Sequence, residues 1–525
     1  MYIGPAEALV SRLLAKTDDS ATRIRSFQHG DIAALKAMAE RLNIVGIINR
    51  HVPSSRKNIS IGLALLLSAI NRVSAPCSKS GWTSWAEQTS VEHLFNVDPK
   101  KFTSQFFWDC MDDVSISALE AIEDDLTQCI VQTFNIKLDL LFYDPTNFFT
   151  FISSDNERST LTKRGKNKQK RFDLRQFSLA LLASRDSKIP LCSHVYEGNK
   201  PDSKVFPETL TMMRRRLERL VGKLEDLTIV YDKGNNSKAN QALVDAAPFH
   251  YVGALVLSQH QDLLSIPESE YETLESGNLA GVHAHRLKRM VWGAERTLVL
   301  FISENFRSKQ VRGFQQHLNK ALEYLKTWKA ALAKPGSGPL SAENAEKQID
   351  QILAQQHVKD VVQVEYNKRR KGSDRLSFNI DQDAINHLYN DVFGKRLLMT
   401  NRHEWSSEEI INAYNAQSNN IEANFAQLKD PDHLAVRPQY HWTDQKIRVH
   451  TFICLLGLLL SRLVEKVAKE KAGYTGSLDG LLDRLSTIRL AMTLTAGVRG
   501  RPKCAWQLED ADPQALAIFR ALVPN

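Results

Sequence analysis

Six cysteines in 525 residues, at positions 77, 110, 129, 192, 454 and 504, form no CxxC pair and no compact spacing with histidine. Neither a disulfide scaffold nor a zinc module fits that pattern, and a reducing cytoplasm is the expected setting. No secretion signal is expected. The opening MYIGPAEALVSRLLAKTDD is broken by Glu7 and lacks a basic start before an unbroken apolar stretch. Long apolar runs are scarce. The greasiest, Thr451 to Val464, is too short to cross a bilayer and is flanked by charges, so a buried helix is expected and membrane insertion is not. Nor is there a strong charge bias. Lys and Arg outnumber Asp and Glu by 68 to 60, a formal +8, which fits a polyanionic partner without requiring one.

What is there reads as an ordered, multi-unit protein. Hydrophobic residues make up 43% and charged residues 24%, near globular averages. The length implies about three to four folding units, and no internal repeat is present.

Residues 1–135 carry a helical pattern. LVSRLLAK, DIAALKAMAERLNI, IGLALLLSAINRV and SALEAIEDDLTQCIVQTF place apolar residues three and four apart. At Ile136 the pattern changes. KLDLLFYDPTNFF reads as a buried strand ending at Asp144, and RQFSLALLASRDSKIPLCSHVYE as two strands joined by a turn at Asp186 to Lys188. PETLTMMRRRLERLVGKL is an amphipathic helix, and EDLTIVYDKG a short strand with Asp232 one residue past its apolar part. Residues 136–240 are therefore expected to form the first part of a core. Residues 241–394 look inserted: a hairpin over HAHRLKRMVW and RTLVLFISE, a long charged helix, the turn-rich KPGSGP, and a second hairpin with a basic turn. The core is expected to resume over 395–470, with a tail at 471–525.

Asp144 and Asp232 stand at predicted strand ends, where an open α/β sheet collects its ligand-binding groups, and carboxylates on neighbouring strands can share a metal. Glu422 lies in a predicted helix, and Lys429, seven positions on, returns to within about 20° of its direction. Three acidic groups suit Mg²⁺, with Mn²⁺ as substitute, in a two-metal site that stabilises both attacking and leaving oxygens of a phosphoryl displacement. Taken singly, the plainer reading is the stronger one for each: an Asp after a strand is usually a turn residue, and a helical Glu–Lys pair usually a solvated face.

FYDPTNFF, IVYDKG and the block from Tyr414 to Leu460 together resemble the three acidic motifs of bacterial insertion-sequence transposases, the insertion sequence family four-like group with a Tyr-Arg-Glu-Lys signature. The resemblance covers roughly residues 137 to 465. It implies an α/β fold with an RNase H-like catalytic core interrupted by a β-rich and helical insertion, beside an all-helical N-terminal DNA-binding region. It implies a DDE-type DNA transposase that cleaves element ends and transfers strands into target DNA, with Asp144, Asp232 and Glu422 as catalytic metal ligands. Lys429 and Tyr414 would contact DNA, and a homodimer would hold the paired terminal repeats. Here the chain departs from the signature. Ser418 and Asn415 occupy the Arg and Tyr positions, and the nearest tyrosine, Tyr414, is shifted by one. Two other readings stay open: an inactive, transposase-derived DNA-binding protein, and an RNase H-like metal-dependent nuclease.

Residues 163–171 hold Lys163, Arg164, Lys166, Lys168, Lys170 and Arg171 with no acid among them, a density that grips DNA phosphates or simply faces solvent. The runs at 214–216 and 368–371 are weaker signals of the same kind. Asp202, in GNKPD, resembles a position that supports the family's active site, though a turn explains it nearly as well. RGRPK at 499–503 resembles a minor-groove-binding core. Trp292 reads as core packing, or as a surface for an unpaired base. His441, Trp442 and His450 have a poor metal spacing and are assigned to architecture.

Overall fold

The computed structural model describes residues 23–53, 59–167, 169–221, 224–275, 277–336, 338–436, 439–495 and 503–523. Its internal contacts divide the chain into two units, Met1–Tyr251 with Asn415–Asn525, and Val252–Tyr414. The helix expected over 9–16, Lys168 and most of RGRPK lie outside the described residues.

The first unit opens with β1 (Arg23–Gln28) and then turns helical. Hydroxyl caps mark three of the helix starts. Ser60 accepts from the Leu63 amide, Thr103 from Phe106 and Ser115 from Ala118, starting helices Ile61–Ser74, Ser104–Asp112 and Ile116–Phe134. Each such cap stabilises by about 1 kcal/mol. The last of these helices stops at Asn135, whose φ of 48° lies in the left-handed region that ends helices.

Packed against this bundle is helix Asp444–Ala472, long and apolar enough to cross a membrane but buried within the protein. It meets helix Ile61–Ser74 at Gly457, where a Cβ would stand 2.7 Å from a Leu434 methyl and 3.2 Å from the Ala69 carbonyl oxygen. Only a residue without a side chain admits that approach. Its buried charges are paired: Arg462 donates to Glu465 at 2.7 Å and Lys466 to Asp186 at 3.0 Å. Unpaired, either cation would carry a large desolvation cost.

The unit's main sheet contains β2 (Leu140–Thr150), β3 (Arg175–Ser184), β4 (Pro190–Glu197) and β5 (Thr228–Tyr231), ordered β4-β3-β2-β5. β2, β3 and β4 pair antiparallel, and β5 lies parallel to β2. The expected hairpin turn is present, with Ser187 and Lys188 at φ of 59° and 58°. β2 does not end at Asp144. It runs through Pro145 to Thr150, since β3 continues to pair along the whole of it. Residues 471–525, read from sequence as a tail, supply helix Leu478–Ser486, two strands and a final helix. Arg489–Thr495 pairs with β1 and with Lys503–Leu508, and Phe519 and Leu522 of helix Pro513–Leu522 are buried.

The second unit holds antiparallel strands: Lys395–Thr400 pairs with Val252–Leu255 on one side and Ala294–Ile302 on the other, and the latter pairs with His283–Val291. A separate small core gathers on helix Glu304–Ala333, where Phe314, Leu325 and Trp328 pack with Val358, Leu376 and Phe393. Trp328 stacks on Tyr366 of the hairpin Val362–Tyr366 and Leu376–Ile380, with ring centroids 5.6 Å apart. This unit takes in the strand at 395–400 and reaches Tyr414, whereas the sequence places the end of the insertion at 394.

Candidate active site

The β2–β5 register sets the two aspartates. Tyr143 is level with Tyr231 in the parallel ladder, so Asp144, within β2, and Asp232, just past the end of β5, stand at the same level on neighbouring strands. Adjacent strands lie about 4.8 Å apart, within reach of two carboxylates on one cation. Both side chains are half-buried. Asp232 ends β5 and caps the turn Lys233–Asn235, its carboxylate accepting from the Lys233 amide at 2.8 Å.

Alternation along β2 puts Asp144, Thr146 and Phe148 on one face and Tyr143 on the other. Tyr143 meets Phe206 of helix Asp202–Val221, with ring centroids 5.4 Å apart, and burial raises its phenol well above the usual range. The Asp144 face receives Lys429. Its ammonium donates to the Thr146 hydroxyl at 2.5 Å and lies 5.5 Å from the centre of the Phe148 ring. A cation is thereby fixed two residues along from Asp144.

The segment carrying Glu422 is not one uniform helix. Ser407–Gln417 is α-helical, Ser418–Glu422 widens into a π turn, and Ala423–Lys429 returns to α. Such single-turn widenings cluster at functional sites. A row of amides ties this segment to the sheet: Gln417 donates to the Tyr143 carbonyl at 3.1 Å, Asn420 to Ser184 at 3.0 Å and Asn424 to Lys188 at 2.8 Å. Glu422 itself is exposed. Among the described residues, no three His, Cys, Asp or Glu side chains are grouped so as to hold a metal ion. The oxygen donors of Asp144 and Asp232 suit a hard cation; Glu422 is not gathered with them.

Tyr414 is half-buried, with the Arg396 guanidinium 6.0 Å from its ring centre and 4.0 Å from that of Phe306. Arg396 was not singled out from sequence; only its neighbourhood to Tyr414 reveals it.

The basic loop is ordered by its own backbone. Lys163 and Gln176 exchange backbone hydrogen bonds at 2.9 Å, and Gly165 fits against Gly198, where a Cβ would meet the carbonyl oxygen at 2.8 Å. Arg164, Lys166, Lys170 and Arg171 are exposed and Lys163 is half-buried. Arg171 is paired with Asp173 at 2.8 Å, and Arg164 donates to Ser154. Asp202 accepts from the Tyr196 hydroxyl at 2.7 Å, which, with burial, holds that phenol protonated.

The run at 214–216 divides. Arg216 is buried against Glu123 and Asp124 at 3.0 and 2.5 Å, while Arg214 pairs with Glu218 on the surface. Residues 368–371 are exposed in their hairpin turn. Trp292 and Gly293 form the two-residue turn of a hairpin at φ of 53° and 92°, a conformation a tryptophan rarely takes. His441 stacks on His450 with ring centroids 4.5 Å apart, and Lys79 donates to His441 at 2.9 Å. Burial holds both imidazoles far below their ordinary titration range.

Fold and site define a mixed α/β protein with paired aspartates at the end of a parallel strand pair and a lysine on the same face. Compared with known proteins, the chain matches no protein family model and no curated protein. Among solved structures it is similar to the piggyBac transposase synaptic complex with hairpin DNA, at a TM-score of 0.40 and 9% identity over 87% of this chain and 79% of that one. At that distance nothing about activity carries over.

Proposed function

We propose that the chain is a DDE-type DNA transposase acting on double-stranded DNA, with Asp144, Asp232 and Glu422 as its catalytic carboxylates. The observation that carries the reading is the level placement of Asp144 and Asp232 on parallel strands, with Lys429 held at Thr146 on the Asp144 face. Three antiparallel strands followed by a parallel partner, with an inserted unit before the glutamate segment, support an RNase H-like core. The acidic motifs quoted above add to this.

Asp144 and Asp232 would hold Mg²⁺ or Mn²⁺ from neighbouring strands, and Glu422 would complete the set. When bound, the ions activate the nucleophile and neutralise charge on the phosphate undergoing displacement. Lys429 holds a substrate phosphate at the Asp144 face by its charge, with Thr146 fixing where the ammonium lies. Gln417, Asn420 and Asn424 anchor the glutamate segment to main-chain carbonyls, which limits how far Glu422 can stray from the sheet. Lys163, Arg164, Lys166, Lys168, Lys170 and Arg171 bind the DNA backbone.

The test is Mg²⁺-dependent cleavage of duplex DNA from the borders of the coding element, with and without a target duplex, comparing wild type with Asp232→Ala and Glu422→Ala. Cleavage and joining by wild type alone, with binding kept in the variants, bears the proposal out. Cut ends without joining indicate a nuclease; binding without cleavage by wild type indicates a DNA-binding relic.

A further inference from the structure

Where β2 ends, a cluster of exposed aromatic side chains begins. The Phe151 amide donates to the Gln439 carbonyl at 2.9 Å, drawing residues 439–442 alongside the strand end. In that extended segment the side chains alternate. Gln439 and His441 turn inward, whereas Tyr440 is 65% and Trp442 55% exposed. Phe151 is 46% exposed, its ring centroid 6.0 Å from that of Tyr440, and the Arg158 guanidinium lies 5.9 Å from the centre of the Trp442 ring. Of the eleven large apolar side chains exposed among the described residues, these are three, and Phe172, at the end of the basic run, is a fourth. Such a concentration marks an interaction surface rather than scattered exposure.

The loop beneath these rings is held firmly. The Arg175 guanidinium donates to the carbonyls of Ser153, Asn156, Ser159 and Thr162 at 2.8 to 3.4 Å. Asp444 accepts from the Ser159 and Thr160 hydroxyls and from the Thr160 and Leu161 amides at 2.6 to 3.2 Å. Two charged side chains thus fix a loop whose outward aromatic side chains stay largely exposed, an arrangement that lowers the ordering cost of binding a partner. Charge identifies that partner. From Arg158 to Arg171 the chain has seven basic residues and no acidic one; Asp155 and Glu157 precede the run, and Asp173 after it is paired with Arg171.

We propose that Phe151, Tyr440 and Trp442, flanked by Arg158, form a platform on which unpaired bases of a DNA strand stack while its phosphates follow the basic loop. The inference rests on the DNA-processing reading above and specifies the form of DNA it takes. Base faces are hidden inside a duplex and open to aromatic side chains only where pairing is lost, so flat rings beside a cationic track select single-stranded segments. The seven positions from Asp144 to Phe151 span about 23 Å of strand, equal to about seven nucleotides at 3.4 Å each. Unpaired DNA would therefore begin about that far from the cleaved bond.

The experiment is fluorescence anisotropy of the full chain with a blunt duplex and with the same duplex bearing an eight-nucleotide single-stranded extension. Wild type is expected to bind the extended probe about tenfold more tightly, Trp442→Ala to lose most of that preference with blunt-duplex affinity within about twofold, and Trp442→Phe to keep it. Circular dichroism of each variant controls for folding. Wild type binding both probes equally, or Trp442→Ala weakening both alike, overturns the platform and leaves the DNA reading standing. Failure of wild type to bind either probe overturns both. Much tighter binding of a ribonucleotide extension overturns the commitment to DNA.

Discussion

The ammonium of Lys429 reaches the hydroxyl of Thr146 at 2.5 Å across 283 residues of sequence, and so shares a strand face with Asp144. If it grips a substrate phosphate there, Lys429→Ala should weaken binding of DNA ends and lower the slope of log affinity against log salt by about one. Titrations at several salt concentrations check this. An unchanged slope would assign the lysine to Thr146 and the Phe148 ring alone.

Asp144→Asn and Asp232→Asn keep the size of each side chain but remove the charge a divalent cation needs. Each should reduce cleavage by about a hundredfold or more, since even groups behind metal ligands matter at 10- to 100-fold. DNA affinity without metal should hold. Measuring Mn²⁺ binding in the same proteins separates a lost ligand from a lost fold: normal metal uptake by Asp232→Asn would remove Asp232 from the site.

Arg216 belongs to the fold rather than to DNA. Its guanidinium is buried between Glu123 and Asp124, so Arg216→Ala leaves Glu123 without its cation, while Asp124 keeps Arg219, and should destabilise by about 3 kcal/mol, read from urea unfolding. Arg214→Ala, on the surface, should cost under about 1 kcal/mol. Equal effects would contradict the burial difference between them.

Stability should depend on pH through buried histidines. Burial, with His93 adding, lowers His29 to about 4. The unfolded imidazole titrates near 6.5, so from there down to about 4 the unfolded chain takes up a proton that the native one refuses. The contribution is whole above pH 6.5 and is lost as pH falls; burial acts the same way on His441 and His450. Melting temperature is expected to drop between pH 7.5 and 5, and less so in His29→Gln. Identical pH profiles for the two proteins would rule out His29 as a contributor.

Part of the framework around the candidate site is legible in the sequence. Asp232 follows the apolar Thr228–Tyr231, and the turn at 186–188 and the hairpin at 283–302 are marked by local residue pattern. What escaped depends on distant partners. RIRSFQ has no apolar periodicity of its own and becomes β1 only because Arg489–Thr495 lies beside it. β2 runs through Asp144 and Pro145 because β3 pairs along its whole length, against the usual reluctance of proline within strands. The π turn before Ala423 has no side-chain signature. Three consecutive arginines look alike in sequence, and only Glu123 and Asp124, on another helix, distinguish Arg216.

The sheet that joins β1 to Arg489–Thr495 bears on how the protein is made. The Arg489 side chain donates to the Ser26 hydroxyl across 463 residues, so β1 leaves the ribosome long before the strand that pairs with it exists. Throughout that interval the edge of β1 is an open template for other chains. A message cut short before Arg489 would leave β1 without the strand it pairs with, and so yield a polypeptide prone to aggregation.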